Sequence, residues 1–127
     1  MSTSGVYGDC GGERVSELRP VCPQSARAQR RVAAELRLRA FAVRQGCALR
    51  ILRAPGIYAP ERLSLARLER GEPVLLPEDD VFTNHIHADD LARLVCAALR
   101  RGRANRCYNA SDDTRLKMGD YFEIGRA

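Results

Sequence analysis

No apolar run in the chain approaches the roughly 18–20 residues that span a bilayer, and no basic leader precedes an apolar segment. A membrane span or an export signal is therefore not expected, and a cytoplasmic setting is. Cys-x-x-Cys is also missing. Cys10, Cys22, Cys47, Cys96 and Cys107 stand far apart, and their odd number leaves at least one thiol unpaired within a monomer. Reduced cytosolic thiols are the default for that pattern. Lysine is nearly missing, since Lys117 alone accompanies twenty arginines. The net charge of +5 invites a polyanion partner, but sixteen acids lie among the bases. A solvated surface coloured by arginine fits this mixture better than a nucleic-acid footprint, so nucleic acid is not the expected partner. There is no internal repeat and no low-complexity tract.

What is there suits one globular domain. The chain has 127 residues and 45% hydrophobic content, enough to bury roughly two thirds of its unfolded surface. After MSTSGVYGDCGGE, which reads as the end of a strand running into a loop, residues 25–45 have helical spacing. Ser25 is a capping residue, Val32, Leu36, Ala40 and Val43 recur at three and four, Leu38 and Phe41 widen the stripe, and Gly46 closes it. CALRILR (47–53) reads as a strand and PGIYAP (55–60) as a proline-bounded link. A short helix is expected around Leu63–Glu69, and strands over 73–77, 82–87 and 106–110. Asp89 or its neighbour caps a helix over DLARLVCAALR, and another helix starts at Met118.

Helix followed by strand favours α/β packing. A parallel sheet wants helices on both faces, and few strands are legible. The expectation from this pattern is an α/β piece of something larger, with the first strands and the helices of one face not in the sequence. A small complete α+β domain is the rival.

Five blocks carry a resemblance: STSGVYGD at 2–9, ELRPVCPQSARAQRRVAAE at 17–35, LRILRAPGIYAP at 49–60, FTNHIHADDLA at 82–92 and CYNASDD at 107–113. In this order they resemble the later part of the extended short-chain dehydrogenases/reductases, in the NAD-dependent epimerase/dehydratase family. The resemblance implies NAD or NADP as cofactor and hydride transfer coupled to proton transfer at a hydroxyl or carbonyl. It also implies a Rossmann βαβ unit with a glycine-rich turn, and no G-x-x-G-x-x-G occurs here in any register; Gly11–Gly12 reads as a turn. The fold that the resemblance implies is a partial Rossmann-like doubly wound sheet lacking its N-terminal strands and glycine-rich loop, with a remnant of the small C-terminal substrate domain. The whole chain, 1–127, is then a single truncated domain, with residues 1–58 and 82–110 in the later Rossmann-like core and 59–81 and 111–127 in the substrate-domain region.

Matched onto the family pattern, Thr3 takes the position of the hydroxyl that orients the substrate. Glu35 as anchor places Arg27 at the position of the catalytic tyrosine and Arg31 at that of its lysine partner. A phenol titrates near ~10, within reach of tuning by a neighbouring cation. A guanidinium stays protonated and has no acceptor lone pair. Arg27 and Arg31 are therefore not expected to be catalytic, although Arg31 could still hold a ribose or phosphate. No Tyr–Lys pair at i, i+4 exists anywhere in the chain. Pro55, Gly56, Ile57 and Tyr58 match the segment that lines the nicotinamide side. His85 and His87 share a strand face ahead of Asp89 and Asp90, but a metal is not expected: strand ligands at i, i+2 need a third, and His87 suits a structural hydrogen bond.

The reading that follows is a fragment of an NAD(P)-dependent epimerase/dehydratase-like oxidoreductase, inactive by itself and doubtful as a cofactor binder alone. The alternative is an active sugar-nucleotide or related hydroxyl/carbonyl oxidoreductase or epimerase, with the missing half supplied. A basic polyanion-binding module comes third. The expected partners are a small-molecule substrate and a second copy of the chain, self-associating through exposed sheet surface.

Overall fold

The computed structural model describes residues 1–62, 69–71 and 76–126. The expected helix at Leu63–Glu69 and strand at 73–77 lie largely outside them. Strand β1 (Ser2–Thr3) leads through a 3-10 turn, Ser4–Tyr7, and a long loop into helix α1 (Ala26–Gln45). Strand β2 (Arg50–Ala54) follows, then β3 (Gly56–Tyr58), β4 (Phe82–Thr83) and β5 (His85–His87). Helix α2 (Ala88–Arg101), β6 (Arg106–Asn109), β7 (Leu116–Lys117) and helix α3 (Met118–Arg126) come after them among the described residues.

The main sheet is parallel, in the order β1-β2-β6. Its register sets Ser2 beside Arg53 and Arg53 beside Asn109. A Rossmann-like parallel sheet that includes an N-terminal strand and its crossover helix is thus present. This corrects the expectation of a sheet lacking its N-terminal strands. A two-residue strand is too short to show a period of two, and the Thr3-capped turn after it resembles loop. PGIYAP is likewise part strand: β3 pairs in parallel with β5, while β4 pairs antiparallel with β7.

β2 is the central strand and is buried from Ile51 to Ala54. Its alternate residues divide between two layers. Leu52 and Ala54 join Ile86, Leu91 and Ala110 in the main apolar core, with Val95 and Ala98 of α2 packed against it. Arg53 instead meets Glu35 of α1. Both helices are capped locally. The Ser25 hydroxyl accepts from the Ala28 N–H, and Gly46 takes the left-handed conformation. For α2 the cap is His87, whose Nδ1 accepts from the Asp89 N–H at 3.2 Å. Asp89 and Asp90 fall in the first turn, where they complement the helix dipole.

The apolar stripe read along α1 does not face the sheet. Its buried residues are Ala28, Glu35 and Ala42, at seven-residue intervals, while Leu36 and Val43 are 62% and 79% exposed. The three-stranded sheet contacts only a narrow band of the helix. All five cysteines are free thiols. Among the described residues, no helix is long and apolar enough to cross a membrane.

Candidate functional site

Open parallel sheets take ligands at the carboxyl ends of their strands. Here that end gathers Thr3, the Ser4–Tyr7 turn, Pro55 after β2 and Asn109 of β6. The loop between β1 and α1 reaches across it: the Asn109 N–H donates to the Glu17 carboxylate at 2.9 Å, and its side-chain Nδ2 donates to the Val15 carbonyl at 3.0 Å. Thr3 caps the turn, accepting from the Gly5 N–H at 3.3 Å. That leaves its hydroxyl proton available to another acceptor.

Beneath this end lies a buried polar network. The Arg53 Nη2 and Nε donate to the two oxygens of Glu35 at 2.7 and 3.1 Å, a two-pronged ion pair. The Ser2 hydroxyl donates to the same carboxylate. On its other side, Arg53 Nη1 donates to the Tyr7 hydroxyl at 2.9 Å, and that hydroxyl donates to Asn109 Oδ1 at 2.7 Å. Burial pushes the Glu35 carboxyl up, but the bonds from Arg53 and Ser2 outweigh it and hold the group below its ordinary value. The Arg53 guanidinium is raised by its bond to Glu35, against burial, and so stays charged. The network ties β1, the turn, α1, β2 and β6 together, so every element bordering the carboxyl end has one common anchor.

Sequence reading took Glu35 only as a motif anchor and missed Arg53 and Asn109. Two signals were available: a lone acid midway between Ala28 and Ala42, and an arginine interrupting an apolar strand. Tyr7 is 5% exposed and spends its hydroxyl on this network, so it is not free to exchange a proton with a ligand.

Arg27 and Arg31, which the sequence reading set at the family's Tyr and Lys positions, do not both reach the carboxyl end. Arg27 is exposed in the first turn of α1. Arg31, also exposed, donates to the Met1 carbonyl at 3.2 Å, which draws it to the amino end of β1. There it borders a cleft of about 80 Å³ lined by Met1, Ala34, Leu38 and Ile51 among others. Ligand pockets run to several hundred Å³, so this cleft is too small for a dinucleotide. Lys117 lies on β7, paired with Phe82, well apart in the chain order from both arginines.

Gly56 allows a close approach, but the neighbour is internal. A Cβ there would stand 3.0 Å from His85 Cδ2. The His85 ring stacks on Tyr121 at 4.1 Å between centroids, and Tyr58 meets His85 and His87 edge-on at 6.4 and 5.2 Å. Burial lowers the His85 pKa, partly offset by Asp112, which favours the neutral ring. Gly56→Ala is expected to displace the ring at a loss of about 1–3 kcal/mol, typical of overpacking. Denaturant unfolding checks this, and loss of the Tyr121 stack is readable in the ring resonances. Among the described residues, no group of three or more His, Cys, Asp or Glu is placed to hold a metal ion.

Compared with known proteins, residues 1–111 match the model of the NAD dependent epimerase/dehydratase family. The chain belongs to that family. A structure of a functionally unknown conserved protein from Silicibacter pomeroyi is 32% identical with TM-score 0.77, covering 91% of this chain and 40% of that one. The dTDP-glucose 4,6-dehydratase of Streptomyces venezuelae, with NAD and TYD bound, is 26% identical with TM-score 0.76, covering 98% of this chain and 41% of that one. At 19% identity, the UDP-glucuronic acid 4-epimerase of Bacillus cereus, in complex with NAD, shares the fold with TM-score 0.81, over 99% of this chain and 45% of that one. No curated protein sequence matches the chain.

The extent of these matches corrects the description of the chain as an atypical C-terminal fragment of the family. The family pattern runs over residues 1–111 and the fold over 91–99% of the chain. Missing glycine-rich and Tyr–Lys motifs had weighed against that pattern, but the likeness is spread over the strand order and the later motifs. The chain spans 40–45% of the length of the three relatives named above.

Proposed function

We propose that the chain serves NAD(P)-dependent oxidoreductase or epimerase chemistry on a sugar nucleotide or a related hydroxyl or carbonyl substrate. The observation that carries this reading is the family match over residues 1–111, laid on a parallel sheet whose carboxyl end is lined by the matching motifs. Two of the structures sharing the fold hold NAD, which supports NAD or NADP here. A reducing cytoplasmic location is supported by the five free thiols.

The residues past β2 fit the ring end of such a cofactor. Pro55 is half-buried, and Gly56 and Ile57 are exposed beside it, forming a short apolar wall. When bound, the cofactor supplies hydride exchange. Thr3 orients the substrate oxygen through its free hydroxyl proton. Arg27 contributes a fixed positive charge at the mouth and no proton transfer, since a guanidinium does not titrate in this range. Arg31 reaches a ribose or phosphate at the carboxyl end only by leaving the Met1 carbonyl. The region after β6, with β7 and α3, borders the substrate side in this reading.

Titration of the chain with NADH and NADPH, followed by nicotinamide fluorescence, tests the proposal. Saturable binding at micromolar concentration, weakened at least about tenfold (~1.4 kcal/mol) by Ile57→Asp, is the expected outcome. No binding of either coenzyme at millimolar concentration would overturn it.

A further inference from the structure

The chain's charge is split between two ends of the molecule. Arg50 opens β2 and stands in register beside Arg106, which opens β6. Arg100 and Arg101 end α2, and Arg103 follows in the loop to β6. These five equal the net charge of +5, so the other bases and acids cancel. No Asp or Glu occurs from Leu36 to Pro60 or from Leu91 to Ser111. Arg100, Arg101, Arg103 and Arg106 are exposed, and none has an ion-pair partner among the described residues. The helix dipole favours the two at the end of α2. It does not account for Arg106, since like charges side by side across strands cost stability. Local bonds fix this rim: Arg50 Nε donates to the Gly102 carbonyl at 2.7 Å, and the Arg103 N–H donates to the Tyr108 hydroxyl at 2.8 Å.

An acidic segment lies at the other end. Glu78 and Asp79 are exposed, with Leu76 and Val81 on either side at 60% and 51% exposure. Asp80 holds the segment in place by accepting from the Gly119 N–H at 3.2 Å. The segment leads into β4 and β5, and β5 pairs with β3 past the carboxyl end of β2. The arginine rim surrounds the amino ends of β2 and β6, so the two do not meet within one molecule.

We propose that the arginine rim of one molecule docks the acidic segment, residues 76–82, of a second copy, head to tail. The carboxylates of that segment meet the Arg103 and Arg106 guanidinium groups as two-pronged acceptors. Its apolar residues cover Leu99, which is 67% exposed in the last turn of α2. A phosphate backbone would satisfy the arginines but leave Leu99 facing water. Residues 46–50 and 99–106 also contain no aromatic ring for bases to stack on, so the rim favours a second copy over a nucleic acid. Contact between two unlike patches does not close on itself, and successive copies add in a row. This inference is independent of the cofactor reading.

Sedimentation velocity of the 127-residue chain over a range of concentrations tests it. The sedimentation coefficient is expected to rise with concentration at low salt. The rise should vanish at about 1 M salt, where the screening length falls to about 3 Å. Arg103→Glu with Arg106→Glu, and separately Glu78→Arg with Asp79→Arg, should each weaken association at least about tenfold (~1.4 kcal/mol). Circular dichroism should stay unchanged, because all four side chains are exposed. Mixing the two variants should restore association, since each then offers the charge the other needs. Arg14→Glu with Arg115→Glu makes the same change in net charge on exposed residues elsewhere and should keep the rise. Loss of the rise in all three variants, or a mixture that does not regain it, overturns the proposal. So does a mass independent of concentration, or association that neither charge reversal disturbs, since another surface then joins the copies. Oligonucleotide binding that Arg103→Glu with Arg106→Glu abolishes, without salt-sensitive self-association, makes a nucleic acid the occupant and overturns it as well.

Discussion

Arg53→Met is expected to destabilise the fold by about 3–5 kcal/mol, the usual result of stripping one partner from a buried ion pair. Both side chains are about as inaccessible as core residues, each 6% exposed. Without Arg53, the Ser2 hydroxyl is the one hydrogen-bond donor left to the Glu35 carboxylate among the described residues. Against a total stability of roughly 5–15 kcal/mol, that loss threatens folding itself. Replacing both partners, Glu35→Leu with Arg53→Met, should recover most of it, because an apolar pair of similar volume is often neutral or better. Tyr7 then still donates to Asn109.

The pH dependence should change sign between the two proteins. In the native chain the folded Glu35 pKa lies below its unfolded value. Its stabilisation is present above the unfolded pKa and is lost as pH falls through the folded one. In Arg53→Met, burial acts with little opposition and raises the folded pKa. The variant should therefore gain stability relative to the native chain as pH falls through the carboxylate range, and lose it as pH rises. Urea midpoints at a series of pH values measure both effects. A neutral-pH loss below about 1 kcal/mol, the level of a surface pair, would show that the network does not anchor the fold.

The second large effect is expected at Gly8, where the STSGVYGD segment turns into the loop. Its φ of 73° and ψ of −157° lie in a region open essentially to glycine alone. A Cβ there would stand 2.2 Å from the Cys22 carbonyl oxygen. Cys22 cannot back away cheaply, because its N–H donates to the Val6 carbonyl at 2.9 Å. Gly8→Ala should cost about 2–6 kcal/mol, adding ~1–3 for strain to ~1–3 for overpacking. Gly11→Ala is the control. Its φ is also positive, at 59°, but nothing lies within 4 Å of the added carbon, so only about 1–2 kcal/mol of backbone penalty applies. Equal losses in the two variants, read from denaturant unfolding, would show that the contact with Cys22 does not constrain the loop.

These two sites differ in how far the sequence disclosed them. Gly8 stood in a motif recognisable by its residues, although the atom it makes room for belongs to Cys22, fourteen positions on. Arg53 was hidden in an apolar strand. The resemblance to the family rested on five short blocks in order, and the match over residues 1–111 agrees with it. The inference that the chain lacked its N-terminal strands failed because β1 is two residues long, and so short a strand leaves no periodic signal.

By itself the sequence determined what depends on neighbours three or four residues away. It set the span of α1 between the Ser25 cap and Gly46, the existence of α2, and the chemical incapacity of Arg27 as a tunable acid. Tertiary structure alone decided which side of α1 is buried, that Arg31 turns to Met1, that Gly56 makes room for His85, and that Tyr7 meets Asn109 from 102 positions away. Capping and helical periodicity are local interactions, written in consecutive residues. Burial and pairing depend on which strands come to lie side by side, and three parallel strands joined by long crossovers bring together groups that share no sequence neighbourhood.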